Sequence, residues 1–212
     1  METCVIFCAG GFDSPVEPVG AGDYVIAADG GLMHLEKLGM VPHAIIGDFD
    51  SLGRIPAGAE VFPVEKDDTD SMLAIRRGLE KGYRRFVIYG GLDGPRLDHT
   101  VANLQALQFL ADHGAQGFFV GLDHTATVIK NGRLTFGPDA EGIVSVFCMG
   151  PDAAGVTLRG LKYSLEDGTL SAGFPLGVSN RFIGEKSEIA VEKGSLLVIF
   201  DRKNSAPRAG LC

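Results

Sequence analysis

Through the first 120 or so residues, short and nearly continuous apolar runs alternate with stretches whose apolar residues recur every third or fourth position. Continuous runs suit parallel strands buried on both faces, and the longer spacing is the period of a helix with one buried side. The pattern predicts strands over residues 4–9, 24–28, 44–47, 60–64, 86–89 and 117–121, and helices over 32–38, 71–81 and 99–113. Gly39, Gly82 and Gly114 follow the three helices as C-terminal stops. Such alternation implies a doubly wound, mostly parallel α/β sheet with helices on both faces.

From about Thr125 the period shortens to two, and turn residues interrupt it often. Strand candidates lie at residues 125–129, 134–136, 143–149, 156–163, 169–172, 188–191 and 196–200, with Asn131-Gly132 marking a tight hairpin. With no helical stretch among them, they predict a smaller all-β sandwich. The expected division is residues 1–124 for the α/β domain and 125–212 for the β-sandwich. Residues 201–212 carry Pro207 and no periodicity, and are expected to be loosely held.

Composition narrows the function. Hydrophobic residues at 45% and charged residues at 22% are ordinary for a globular protein, whereas Gly at 30 of 212 calls for many tight turns. A formal net charge of −8 leaves no basic face for a phosphate backbone, which argues against nucleic acid and anionic membrane as partners. Were the substrate a polyphosphate, divalent cations would have to stand between it and the excess carboxylates. The cysteines at 4, 8, 148 and 212 form no C-x-x-C pair and read as thiols of a reducing compartment. With no basic leader and no long apolar span, a cytoplasmic location is expected.

In an open α/β sheet, ligands bind beyond the carboxyl ends of the strands. Acids gather there. The second predicted strand runs into Asp29-Gly30-Gly31, the third into Asp48-Phe49-Asp50-Ser51, and the fourth into Lys66-Asp67-Asp68-Thr69-Asp70. The fifth runs into Gly90-Gly91, followed by Arg96-Leu97-Asp98-His99. Asp70 and Asp98 occupy helix N-cap positions, and capping alone explains some such residues. Four clusters at one edge ask for more, because like charges repel unless a cation offsets them. Asp48-x-Asp50 suits a hard cation such as Mg²⁺, since in an extended segment both side chains point one way. Arg96 is placed to clamp a phosphate with its fork of donors. Gly90, Gly91 and Gly94 let backbone approach a nucleotide, although no Walker-type string occurs. His99 and Asn103 share one helix face, whereas His34, His43, His113 and His124 read as ordinary surface or turn residues.

These motifs, in this order and spacing, resemble the thiamine pyrophosphokinases, as does Gly177-Val178-Ser179-Asn180-Arg181-Phe182 in the β-rich part. The resemblance implies an N-terminal domain that binds ATP and Mg²⁺, a C-terminal β-sandwich that binds thiamine, and a homodimer with active sites between subunits. It implies that Asp48, Asp50, Asp70 and Asp98 are the metal carboxylates, and Asp50, Asp70 and Asp98 the catalytic ones. Asp29, Gly30, Gly31, Ser51, Lys66, Asp67, Thr69, Gly90, Gly91, Arg96, His99 and Asn103 would then bind ATP and its phosphates. Ser179 and Asn180 would contact thiamine, although a turn between strands also explains them. His43 stands where the family often has an acid, and the chain has no Trp, so stacking on the cationic ring would fall to Phe174 or Phe182. Two other readings use the same acids. A metal-dependent phosphoesterase of DHH type would hydrolyse without thiamine, but such sites generally use several His ligands. A nucleotide or thiamine sensor would bind without turnover.

Overall fold

Six short segments line up in parallel, in the spatial order β6-β5-β1-β2-β3-β4, because nearly every side chain in them is apolar and both faces are covered. They are β1 (Cys4–Phe7), β2 (Tyr24–Ala28), β3 (Ala44–Gly47), β4 (Glu60–Val61), β5 (Arg85–Tyr89) and β6 (Gln116–Val120). In this computed structural model the described residues are 2–50, 52–63, 65, 67–204 and 208–210. The chain divides into two units, Met1–Leu122 and Asp123–Cys212. From β1 the chain passes to β2 on one side and later returns to β5 on the other, so a topological switch point lies at β1.

One face of this sheet takes α1 (Leu32–Leu38), whose Leu32 and Leu35 pack on Val5, Phe7, Val25 and Val87. The other takes α2 (Asp70–Glu80) and α3 (Leu97–Asp112). Gly78 of α2 sits so close to the strands that an added Cβ would stand 2.5 Å from the Phe86 ring and 2.7 Å from Cys4 Sγ. Gly39, Gly82 and Gly114 take φ of 67°, 92° and 66° and end the helices in the left-handed region. The N-caps differ from expectation. Thr69, not Asp70, caps α2, its hydroxyl accepting from Met72 N–H, and Arg96 rather than Asp98 precedes α3. Asp70 and Asp98 are thus helical residues, and capping does not account for them.

The second unit is an all-β sandwich. One antiparallel sheet has the order β12-β9-β14-β7, from β7 (His124–Lys130), β9 (Ile143–Cys148), β12 (Gly177–Arg181) and β14 (Ser195–Asp201). The other has the order β11-β10-β13-β8-β15, from β8 (Arg133–Phe136), β10 (Asp152–Arg159), β11 (Leu165–Ser171), β13 (Ser187–Ala190) and β15 (Arg208–Gly210). Alternate residues such as Val144, Val146, Leu158, Ile189 and Val198 fill the space between them. Two elements depart from the predicted pattern. β4 is only two residues long, and β12 forms where the pattern showed no strand, because it pairs with β9 through an irregular register between Gly177 and Asn180.

Gly78→Ala tests the closeness of α2 to the sheet. Helix propensity alone favours Ala by about 1 kcal/mol, whereas overpacking a core costs about 1–3 kcal/mol. A net loss is expected in urea unfolding, and a raised midpoint would show that the contact gives way without cost.

Candidate active site

A cavity of about 490 Å³ opens beyond the carboxyl ends of the strands of the first unit. Its floor is backbone from three strand ends: Cys8, Ala9 and Gly10 after β1, Ala28 and Asp29 at the end of β2, and Gly90 and Gly91 after β5. Gly10 N–H donates to the Gly90 carbonyl at 2.9 Å, and a Cβ on Gly10 would lie 2.6 Å from that same oxygen. Glycine is therefore required where these loops cross.

Asp29, Asp48 and Asp50 meet at one side of the cavity, with a carboxylate oxygen from each within 4.8 Å of the others. Backbone conformation brings them there. Asp29 has φ of 46° and opens a single 3-10 turn with Gly30 and Gly31. Gly31 is pressed against β1, where a Cβ would fall 1.8 Å from the Phe7 carbonyl oxygen. Gly47 ends β3 beside Asp29, and a Cβ there would meet the Asp29 Cα at 3.0 Å. Asp48 and Asp50 do not lie on the extended segment expected for them: Phe49 between them has φ of 61° and is 3% exposed. The buried ring anchors a tight turn in a region that costs a non-glycine residue free energy. Asp50 N–H donates back to Asp48 Oδ1 at 3.2 Å, which closes that turn.

The remaining predicted residues are placed differently from one another. Thr69, Asp70, Gly90, Gly91, Arg96, His99 and Asn103 line the cavity. Gly30 and Gly31 are buried supports beneath Asp29, Asp67 is exposed, and Ser51 and Lys66 lie outside the described residues. Asp98 stands apart from the carboxylate trio. It accepts two bonds from Arg96, 2.6 Å from Nη2 and 3.3 Å from Nε, and both side chains are more than 60% exposed. The Arg96 guanidinium holds the Asp98 carboxyl below its ordinary range. In the second unit, Ser179 is exposed with φ of 59°, while Asn180 is buried and bonds both backbone atoms of Tyr163. Asn180 therefore fixes the β12 backbone. Phe182 packs on Phe136 with ring centroids 4.9 Å apart and is 9% exposed, which removes it as a stacking surface, whereas Phe174 is 66% exposed.

Cys8, Gly10, Ser71 and Thr100, which the motifs do not single out, also line the cavity, as does Asp68 of the fourth acidic cluster. Gly10-Gly11 directly after the first strand was the available signal for the β1 loop. His34 is half-buried, with Nε2 bonded to the Gly10 carbonyl at 2.9 Å, while His43 is exposed and its Nδ1 accepts from Val25 N–H at 3.0 Å. All the donors in the trio are carboxylate oxygens from two strand ends, a set suited to a hard divalent cation that keeps sites for water and phosphate.

Residues 19–119 match the family model described as "Thiamin pyrophosphokinase, catalytic domain", and residues 133–196 match "Thiamin pyrophosphokinase, vitamin B1 binding domain". The chain belongs to the thiamine pyrophosphokinase family. Among similar proteins, the thiamine pyrophosphokinase of Bacillus subtilis is 29% identical over 183 residues, 82% of this chain and 85% of that protein. A crystal structure of the thiamine pyrophosphokinase from Bacillus subtilis superposes with a TM-score of 0.81 at 25% identity, covering 94% of this chain and 99% of the other. That from Geobacillus thermodenitrificans gives 0.75 at 28%, covering 93% and 97%. The protein is therefore a kinase of the thiamine pyrophosphokinase type, with an α/β sheet unit followed by a smaller β-sandwich.

Cys8 provides a check on the electrostatics of the cavity. Burial, and behind it the Asp70 and Asp29 carboxylates, pushes its thiol up to about 12. Unfolded, a thiol titrates near about 8.5. Between the two values the unfolded chain has lost a proton that the folded chain keeps. Stability present at neutral pH should therefore fall as pH rises through this window, by at most about 1.4 kcal/mol per pH unit from this group. Cys8→Ala should flatten that fall in urea midpoints taken between about pH 8.5 and 11; equal slopes would contradict the assignment.

Proposed function

We propose that the cavity binds the triphosphate of ATP with Mg²⁺, and that thiamine approaches it with its hydroxyl facing the β-phosphorus. One observation carries this: three carboxylates within 4.8 Å at a strand-end crevice whose floor is glycine backbone. An acidic protein of net charge −8 binds a polyphosphate there only with a cation between the two. A bond forms from the hydroxyl oxygen to the β-phosphorus and the bond from that phosphorus to the oxygen it shares with the α-phosphorus breaks, so AMP leaves with that oxygen, thiamine diphosphate forms, and the hydroxyl proton passes to solvent.

Asp29, Asp48 and Asp50 would hold the cation, which when bound supplies neutralising charge to the phosphates. Asp68 and Asp70 continue the acidic lining along the start of α2. Arg96 reaches toward the phosphates from the rim, and Asp98, engaged with it, holds its guanidinium plane in one orientation. With both carboxylate oxygens engaged by Arg96 at the exposed rim, Asp98 is assigned to bracing rather than to base catalysis. Gly10, Gly90 and Gly91 give the nucleotide close access to backbone. Such a site works by positioning and charge neutralisation, with little covalent chemistry asked of the protein.

Ser179 is the residue we assign to thiamine, with Phe174 as the exposed aromatic nearest to it in sequence. Homodimerisation fits the edge strand β12, around which Tyr163, Phe174, Leu176, Val178 and Ile183 are 45–66% exposed. A cytoplasmic location accords with the need for ATP and with the free thiols of Cys4 and Cys8.

Incubation with ATP, Mg²⁺ and thiamine should yield AMP and thiamine diphosphate in equal amounts. AMP without thiamine diphosphate would indicate a hydrolase, and binding without turnover a sensor. Asp48→Asn and Asp50→Asn should each lower turnover by roughly 100-fold or more while shifting the unfolding midpoint by no more than a few degrees. Near-normal turnover with unchanged Mg²⁺ dependence would remove them from the site.

A further inference from the structure

Thr69, Ser71, Asn103 and Gly91 form one hydrogen-bonded line along the cavity, and its direction follows from donor and acceptor chemistry. The Gly91 carbonyl only accepts, so the Asn103 atom 2.7 Å from it is Nδ2. Oδ1 then faces Ser71, whose hydroxyl donates to it at 2.7 Å. With its single proton committed there, Ser71 Oγ is the acceptor in the 3.0 Å contact with Thr69 Oγ1. Thr69 Oγ1 in turn accepts from Met72 N–H at 3.2 Å. Ser71 and Asn103 are each 8% exposed, so losing one partner leaves the other buried and unsatisfied.

The line joins elements that each carry part of the site. Ser71 follows Asp70 at the first turn of α2, Asn103 lies one turn beyond His99 on α3, and Gly91 belongs to the loop after β5. Gly91 is confined as well, since a Cβ there would stand 2.4 Å from the Phe119 ring and 3.2 Å from Asn103 Nδ2. Both ends of the Asn103 amide are occupied within the protein, which sets it apart from a residue that reaches into the cavity for a ligand.

We propose that Ser71 and Asn103 are positioning residues for the diphosphoryl transfer. They fix the start of α2, the second turn of α3 and the Gly90-Gly91 loop at one spacing, and so set Asp70 and the Arg96–His99 rim against the backbone floor. The proposal rests on the cavity being the ATP site. Misplacement of a site element by about 1 Å is enough to lower turnover by roughly 100-fold.

The test compares Ser71→Ala, Asn103→Ala, their double variant, Ser71→Thr and Asn103→Asp. Turnover is expressed per folded molecule, and hydrogen exchange is followed over residues 90–96. Ser71→Ala and Asn103→Ala should each lower kcat by roughly 10- to 100-fold with KM for ATP moved by less than about threefold. The double variant should be no worse than the poorer single one, because the two act as a unit. Ser71→Thr, which keeps the hydroxyl, should recover most of the turnover, and Asn103→Asp, which loses the donor to Gly91, should match Asn103→Ala. Exchange over 90–96 should quicken in Ser71→Ala. A lowered unfolding midpoint with unchanged kcat, additive losses and unaltered exchange would overturn the proposal. If the alanine variants fail to fold, the contrast between Ser71→Thr and Asn103→Asp decides the matter. Should the unaltered protein make no thiamine diphosphate, the substrate assignment fails, and the exchange data alone uphold or overturn the relay.

Discussion

Three carboxylates from two neighbouring strands share a space small enough for a single ion. Bringing Asp29, Asp48 and Asp50 within 4.8 Å of one another works against folding, because at that range like charges repel and the repulsion must be offset by groups of opposite polarity. The fold sustains the arrangement by making it a consequence of packing. Phe49 cannot leave the interior without exposing its ring, and Gly31 and Gly47 let the backbone beside Asp29 approach β1 and β3 more closely than any other residue permits. The core holds the three acids together, and on the proposed reading a cation bound there relieves the repulsion between them.

The second constraint is alignment. Strand ends fix their own loops well, but the crevice is also lined by the first turns of α2 and α3, whose helices pack along the sheet. The buried polar line from Thr69 through Ser71 and Asn103 to Gly91 ties those turns to a strand-end loop with directional bonds. Packing alone allows small slides that directional bonds do not. Arg96 and Asp98, by contrast, pair at the exposed rim, where a salt bridge contributes little to stability and serves mainly to orient.

The sheet was legible because a strand buried on both faces leaves an unmistakable apolar run, and the helices because each ends at a glycine in the left-handed region. The acids after those runs were legible for the same reason, since topology alone puts them at one edge. What stayed hidden depends on contacts distant in sequence or on backbone angles. Nothing local marks Phe49 as left-handed, so Asp48 and Asp50 were expected on an extended segment. Nothing marks Thr69 over Asp70 as the cap, or Asp98 as the partner of Arg96, because each follows from where the helix begins in three dimensions. Asn180 in β12 looked like a ligand-facing residue because a buried amide that satisfies the Tyr163 backbone 17 residues away has no signature in its own segment. Ser71 escaped notice because a small polar residue early in a helix is ordinary until Asn103 is seen opposite it.

On the proposed reading, the Asp29, Asp48 and Asp50 carboxylates hold a divalent cation against the phosphates of ATP. Crystals grown with Mn²⁺ and a non-hydrolysable ATP analogue, measured at a wavelength where manganese scatters anomalously, test it most directly. An anomalous peak bounded by oxygens of those three side chains is expected, with a phosphate oxygen completing its shell. A nucleotide bound in the cavity with its metal elsewhere, and the trio instead paired with lysine or arginine, would contradict it.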